Sequence, residues 1–161
     1  MTQTRKQAVL EPASKARLRL WLRLLKASRH VEAELRERLR VEFATTLPRF
    51  DVMSALYRVG PGLKMSELSG VLKVSNGNVT GIVDRLVEDG FALREKVHGD
   101  KRAFRAVLTS KGRAEFERQA AAHERWVNEL LGEVEPDSAV RLSALLAEVA
   151  RSAGETEEKD D

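Results

Sequence analysis

At 161 residues and 18.0 kDa, with 42% hydrophobic and 33% charged residues, the chain is long enough for one ordinary core and too short for two domains joined by a linker. The absence of cysteine excludes disulfides, thiolate metal sites, cysteine nucleophiles and thiol-based peroxide sensing. The formal charge of +3 hides an acidic end: setting aside the five acids and Lys159 of residues 154–161 leaves 27 cations against 20 anions, a basic body that attracts polyanions without selecting among them.

Met1 to Leu10 holds Arg5 and Lys6 with no apolar run behind them, and no stretch is apolar enough to span a bilayer, so a cytoplasmic protein without a membrane partner is expected. From Ala16 to Arg40, Leu20, Leu24, Ala27, Val31 and Leu35 recur at helical spacing, and Leu18, Leu22 and Leu25 form a second stripe beside them. Two apolar flanks need more than one neighbour, which points to a partner subunit. Thr46 can cap the next helix, whose first turn accepts Pro48; Val52, Met53, Leu56 and Val59 should face inward before the stop at Gly60-Pro61-Gly62.

A short helix, Met65 to Leu72, precedes another capped by Ser75, with Val79, Ile82, Val83 and Leu86 buried and Gly90 as its left-handed stop. Phe91 to Val97 then changes to period two, with Phe91, Leu93 and Val97 expected on one side and Arg94 and Lys96 on the other. His98-Gly99-Asp100 reads as a hairpin tip, and Ala103 to Leu108 returns with Phe104, Ala106 and Leu108 facing together. Thr109 caps a long helix with the stripe Phe116, Ala120, His123, Val127 and Leu130, and Pro136 opens a last one carrying Leu142, Leu145, Leu146 and Val149. The fold class is mainly α with a small β-hairpin. The organisation is an N-terminal helical region over 1–46, a helix-turn-helix with a hairpin over 47–108, closing helices over 109–153, and an acidic, disordered tail over 154–161.

Read as a helix-turn-helix, Met65 to Gly90 would lay the front of its second helix in the major groove of DNA. Ser75, Asn76, Asn78 and Thr80 stand there with groups that can bond base edges or phosphates, and Gly77 and Gly81 allow close approach. The same residues also make an ordinary turn and cap. Arg85 can reach a phosphate or pair with Asp84 or Glu88. Positive charge is supplied by the hairpin: Lys96, Lys101 and Arg105 are candidate phosphate contacts, and Arg102, near the tip, is the candidate for the minor groove, where narrow A·T steps deepen the negative potential.

The segments Leu47-Pro48-Arg49-Phe50-Asp51-Val52, Met65-Ser66-Glu67-Leu68, Val74 through Leu86, Asp100-Lys101-Arg102 and Leu108-Thr109 resemble the MarR family of bacterial transcriptional regulators over nearly the whole chain. The Asp-x-Arg of the hairpin, at its distance from the Asn-bearing helix, is the specific part. The resemblance implies a winged helix-turn-helix and a homodimer whose first and last two helices form the dimerisation region, each winged unit meeting one half of a palindrome in double-stranded DNA. It implies that Asp100 orients the wing and that Arg102 enters the minor groove. Lys64 stands where the family often has Thr, and Gly70 where a small helix former is common, departures that bear on the rigidity of the bracing helix.

The resemblance further implies switching by a small molecule, often an aromatic acid. Between Lys15 and Arg40 nine cations face Glu32, Glu34 and Glu37, and Trp21, Arg23, His30, Phe43 and Phe50 offer an aromatic slot edged by arginine. Such a slot suits an aromatic carboxylate or its coenzyme A thioester, in a regulator of aromatic-acid breakdown. The same arginines can equally form helix salt bridges. An enzyme is not expected: the three histidines, His30, His98 and His123, form no ligand pair, and there is no Gly-x-Ser-x-Gly or phosphate loop, so no catalytic residue, metal or cofactor is assigned. The alternative is a helical protein-interaction module in which Asn76 and Asn78 would have no use.

Overall fold

The computed structural model describes residues 12–157; the side chains of Pro12, of Asp100, Lys101 and Arg102, and of residues 153–157, lie outside that description. The elements, in order, are α1 (Pro12–Phe43), α2 (Leu47–Arg58), β1 (Leu63–Lys64), α3 (Met65–Leu72), α4 (Asn76–Glu88), β2 (Ala92–Val97), β3 (Asp100–Leu108), α5 (Ser110–Leu130) and α6 (Pro136–Glu157). The chain forms two compact units that divide after His123, within α5.

In the first unit, α1 runs further than the apolar pattern predicts, because Pro12 suits a helix start and no breaker intervenes before Ala44, where φ is +50°. Its Leu35 and Leu39 are buried, but Leu18, Leu20, Trp21 and Leu22 are each more than half exposed. Thr46 caps α2 by accepting from the Arg49 amide at 3.4 Å, and Phe50, Val52, Met53, Ala55 and Leu56 go into the core. Val59 does not: the helix ends at Arg58, and Val59 turns outward as its C-cap. Leu68 of α3 and Val79, Val83 and Leu86 of α4 are fully buried, while Ile82 is half-buried. Phe116, Ala122 and Gln119 form the buried line of α5 here, which turns the helix slightly from the expected Phe116–Ala120–His123 stripe.

The sheet has three strands in the order β1-β3-β2, all antiparallel, rather than the two of a bare hairpin. β1 is only Leu63 and Lys64, paired with Ala106 and Arg105, too short for any period-two signal. Its approach requires Gly62, whose φ is +90° and on which a Cβ would stand 2.5 Å from the Ala106 carbonyl oxygen. In β2 the inward face is opposite to the one expected. Ala92 and Arg94 pair with Leu108 and Ala106 and so share their side, whereas Leu93 is exposed. Phe104 lies on the inner side with Ala106 and Leu108 as expected, but too far out along the hairpin to be buried.

The second unit comprises the end of α5 and α6. Along α6, Val140, Leu142, Leu145, Leu146 and Val149 are all exposed. The helix continues past the expected boundary at Ala153 to Glu157, and the last four residues of the acidic tail lie outside the described residues. No helix among the described residues is long and apolar enough to cross a membrane.

Candidate nucleic-acid interface

The turn between α3 and α4 is fixed from both sides. Lys73 ends α3 at φ +55°, the Val74 amide donates to the Ser69 carbonyl at 3.2 Å, and the Ser69 hydroxyl donates to the Val74 carbonyl. Ser75 then caps α4 by accepting from the Asn78 amide at 3.4 Å. Lys64, the N-cap of α3, brings no hydroxyl, and the helix compensates from the other end: the Glu67 carboxylate accepts the Lys64 amide at 2.7 Å.

With Val79, Val83 and Leu86 inward, α4 turns Asn76, Gly77, Asn78, Gly81 and Arg85 to solvent, Thr80 being half-buried at the edge. The Thr80 hydroxyl donates to the Asn76 carbonyl at 2.8 Å, so its proton is committed within the helix and its oxygen is left as an acceptor. Arg85 makes no ion pair among the described residues. The expected partner Asp84 is held instead by Arg94 of β2 at 2.6 Å, an interaction made possible by the inward side on which Arg94 stands.

The wing departs from a count of its charges in a second way. Arg105 lies directly across from Glu95, and its Nε and Nη2 donate to the Glu95 carboxylate at 3.0 and 2.8 Å. Strand alternation puts this pair on the face opposite to Arg94 and Lys96. Lys96 is exposed and makes no ion pair among the described residues. Asp100, Lys101 and Arg102 belong to the start of β3, next to the turn at Gly99, and their side chains lie outside the described ones.

Contacts that the sequence did not signal brace the interface from behind. Arg49 at the start of α2 pairs with Asp89 at the end of α4. Lys111 of α5 donates to the Asp89 carbonyl at 2.8 Å and covers the Phe91 ring, and Thr109 donates to the Gly90 carbonyl at 2.7 Å while accepting from the Gly112 amide at 3.0 Å. An open hollow of about 450 Å³ separates the start of α2 from α4 and is lined by Thr46, Arg49, Asn78, Ile82 and Arg85 among others. Nothing in the spacing of these residues along the chain foretells it.

The five residues expected to hold an aromatic effector are not gathered into one slot within a chain. Trp21 and Phe43 stand about 33 Å apart along α1, given a rise of about 1.5 Å per residue. Trp21, Arg23 and His30 are exposed, Phe43 is covered by Arg118 of α5, and Phe50 is a core residue. The Phe50 ring stacks on His123 at 4.7 Å and meets Phe116 at 5.5 Å. Burial holds the His123 imidazole below its ordinary range, and the removal of neighbouring water raises the carboxyl of the adjacent Asp51. Among the described residues no three histidines or acids converge as a metal site.

A helix-turn-helix whose second helix is exposed along its polar front, flanked by an antiparallel wing, is the winged helix-turn-helix architecture. Residues 45–104 match the MarR family. The structure is similar to that of a MarR family transcriptional regulator from Silicibacter pomeroyi, with a TM-score of 0.74 and 37% identity over 89% of this chain and 99% of that one. It is also similar to a mutant MarR from E. coli complexed with operator DNA, with a TM-score of 0.71 and 27% identity over 81% of this chain and 92% of the other. An uncharacterized HTH-type transcriptional regulator, YkoM of Bacillus subtilis (strain 168), is 33% identical over 97 residues, 60% of this chain and 62% of YkoM. The chain spans less than two thirds of the length of each curated relative that it matches. It belongs to the MarR family of transcriptional regulators. That membership is positive ground for a regulator rather than an enzyme.

Proposed function

We propose that the chain is a ligand-responsive repressor that acts in the cytoplasm as a homodimer on an inverted-repeat operator. The observation that carries this reading is the exposed polar front of α4 standing beside the wing in one compact unit. Ser75, Asn76, Asn78 and Thr80 meet the major groove, Arg85, Lys96 and Lys101 meet phosphates, and Arg102, oriented by Asp100, enters the minor groove. Arg105 serves mainly to anchor Glu95 across the wing. The uncovered apolar residues of α1 and α6 support the dimer, since large exposed apolar patches of this kind mark association surfaces. Two such units would present their recognition helices to successive turns of DNA, about 34 Å apart.

The effector is a small aromatic anion or its coenzyme A thioester, in keeping with control of aromatic-acid breakdown. The hollow beside α4 has the volume of a small-molecule site and two arginines on its wall, and a bound carboxylate there would bear directly on the recognition helix. Trp21, Arg23 and His30 are exposed on α1, and a second subunit beside that helix would bring them a further wall. Selection from random duplexes, followed by challenge with aromatic acids and their thioesters, tests both halves of the proposal. An inverted repeat released by such an anion is the expected result; a monomer in sedimentation, or selection without a repeat, overturns it.

A further inference from the structure

The chemistry with which α4 can read base pairs is narrower than its residues suggest, because several of its polar side chains already have a partner within the protein. The Ser75 hydroxyl accepts from the Asn78 amide, the Thr80 hydroxyl donates to the Asn76 carbonyl, and the Asp84 carboxylate holds Arg94. Val79, Val83 and Leu86 are buried, and Gly77 and Gly81 carry no side chain. From Ser75 to Asp84 there is no lysine or arginine. Ser75 keeps its O–H and Thr80 its oxygen lone pairs, but along the first two turns, among the described residues, only the exposed carboxamides of Asn76 and Asn78 present a donor and an acceptor side by side on two atoms.

A guanidinium fork suits the two acceptors of guanine, O6 and N7, whereas a carboxamide suits adenine: its oxygen accepts from the N6 amino group and its NH₂ donates to N7. With the forks absent from these turns and the two amides uncommitted, we propose that Asn76 and Asn78 are the specificity-determining residues and that the major-groove core of each half-site is A·T, with adenine read at N6 and N7. This rests on the DNA-binding reading given above and adds to it the class of base pair. The partners of Thr80 and Asp84 give the inference its edge: with its proton given to the Asn76 carbonyl, Thr80 is left an acceptor only, as the Asp84 carboxylate is, so neither can make the paired donor-and-acceptor contact that a carboxamide makes with adenine.

The test uses the full chain and duplexes selected from a random pool. The expected core of each half-site contains conserved A·T pairs, and replacing the adenine there with 7-deazaadenine, which lacks the N7 acceptor, weakens binding about 10-fold per site. Asn76→Ala and Asn78→Ala each abolish the preference at one base-pair position while leaving the dependence of affinity on salt unchanged, and Asn78→Gln keeps the preference because it keeps the carboxamide. Both positions are exposed, so thermal melting should show the variants folded. A core of conserved G·C pairs overturns the proposal, as does an A·T preference that survives 7-deazaadenine or both alanine variants. Selection of no inverted repeat at all counts instead against the operator-binding reading on which the proposal rests.

Discussion

Lys96 and Arg105 are alike as cations in the sequence of the wing, yet they should differ in what they add to DNA binding. Arg105 is bonded to Glu95 at 2.8 and 3.0 Å, while Lys96 is exposed on the other face of the hairpin with no ion pair among the described residues. Each phosphate contact changes the slope of log affinity against log salt by about 0.9, so Lys96→Gln in both subunits should flatten the slope by about 1.8. Between about 50 and 200 mM salt the parent would then lose about 12-fold more affinity than this variant. Removing the ion pair as a unit, with Glu95→Gln and Arg105→Gln together, should leave the slope near that of the parent. Glu95→Gln alone frees Arg105 and should steepen the slope by up to about 1.8. The fold should tolerate all three, because a half-exposed pair contributes only about 0.2–1 kcal/mol. Fluorescence anisotropy titrations at four salt concentrations read these slopes. If the double variant flattens the slope as much as Lys96→Gln does, Arg105 leaves Glu95 for a phosphate on binding, and the inference from the free protein is wrong.

Gly112→Ala should destabilise the protein by about 3 kcal/mol in chemical denaturation, because its Cβ would stand 1.9 Å from the Phe91 carbonyl oxygen at the junction of β2 and α5. Gly70→Ala, in the open on α3, should instead stabilise by about 0.5–1 kcal/mol; loss of stability there would show that Gly70 has a packing role. Gly81→Ala should separate folding from binding: the site is open in the free protein, so melting temperature should rise, while a methyl on the outward line of α4 should weaken operator binding at least about 10-fold if the duplex approaches the helix backbone. Burial lowers the pKa of His123, so the folded state binds fewer protons than the unfolded chain; its contribution is full above the ordinary imidazole value of about 6.5 and is lost as pH falls through the window below it. His123→Phe, which preserves a ring against Phe50, should therefore lose less melting temperature than the parent on acidification from about pH 7.5 to 5.5, and an equal loss would show that the imidazole is not the group responsible.

The elements that were most legible in the sequence are those whose ends carry their own chemistry. Met65–Leu72 matches the expected bounds of α3, and Thr46, Ser75, Gly90 and Thr109 mark ends where the structure has them. The apolar period underestimates α1 at both ends because the helix limits depend on Pro12 and on a single residue at positive φ, neither of which changes that period. The two inward faces of the wing show why period two alone is insufficient. Leu93 is a better core residue than Ala92 by hydrophobicity, yet the register with β3 sets Ala92 and Arg94 opposite Leu108 and Ala106 and leaves Leu93 exposed; the Arg94–Asp84 pair follows from that register, which no period within β2 reports.

The site divides along the same line. Which residues stand at the front of α4 follows from helical spacing and a cap, both local, and so was legible. Which of them are free to meet a ligand depends on partners brought from other elements, and the sequence carries no sign of those partners. Asp84 is closer along the chain to Arg85 than to Arg94, yet the sheet delivers Arg94 to it and leaves Arg85 on the wall of the hollow without an ion pair among the described residues. The same pairing withdraws a carboxylate that would otherwise repel phosphate, and it ties the recognition helix to the wing through a charged contact. A wing that meets DNA as a unit with α4 needs such a link, and Asp84→Asn, by loosening it and freeing Arg94 together, should raise nonspecific affinity while lowering discrimination between operator and random duplex.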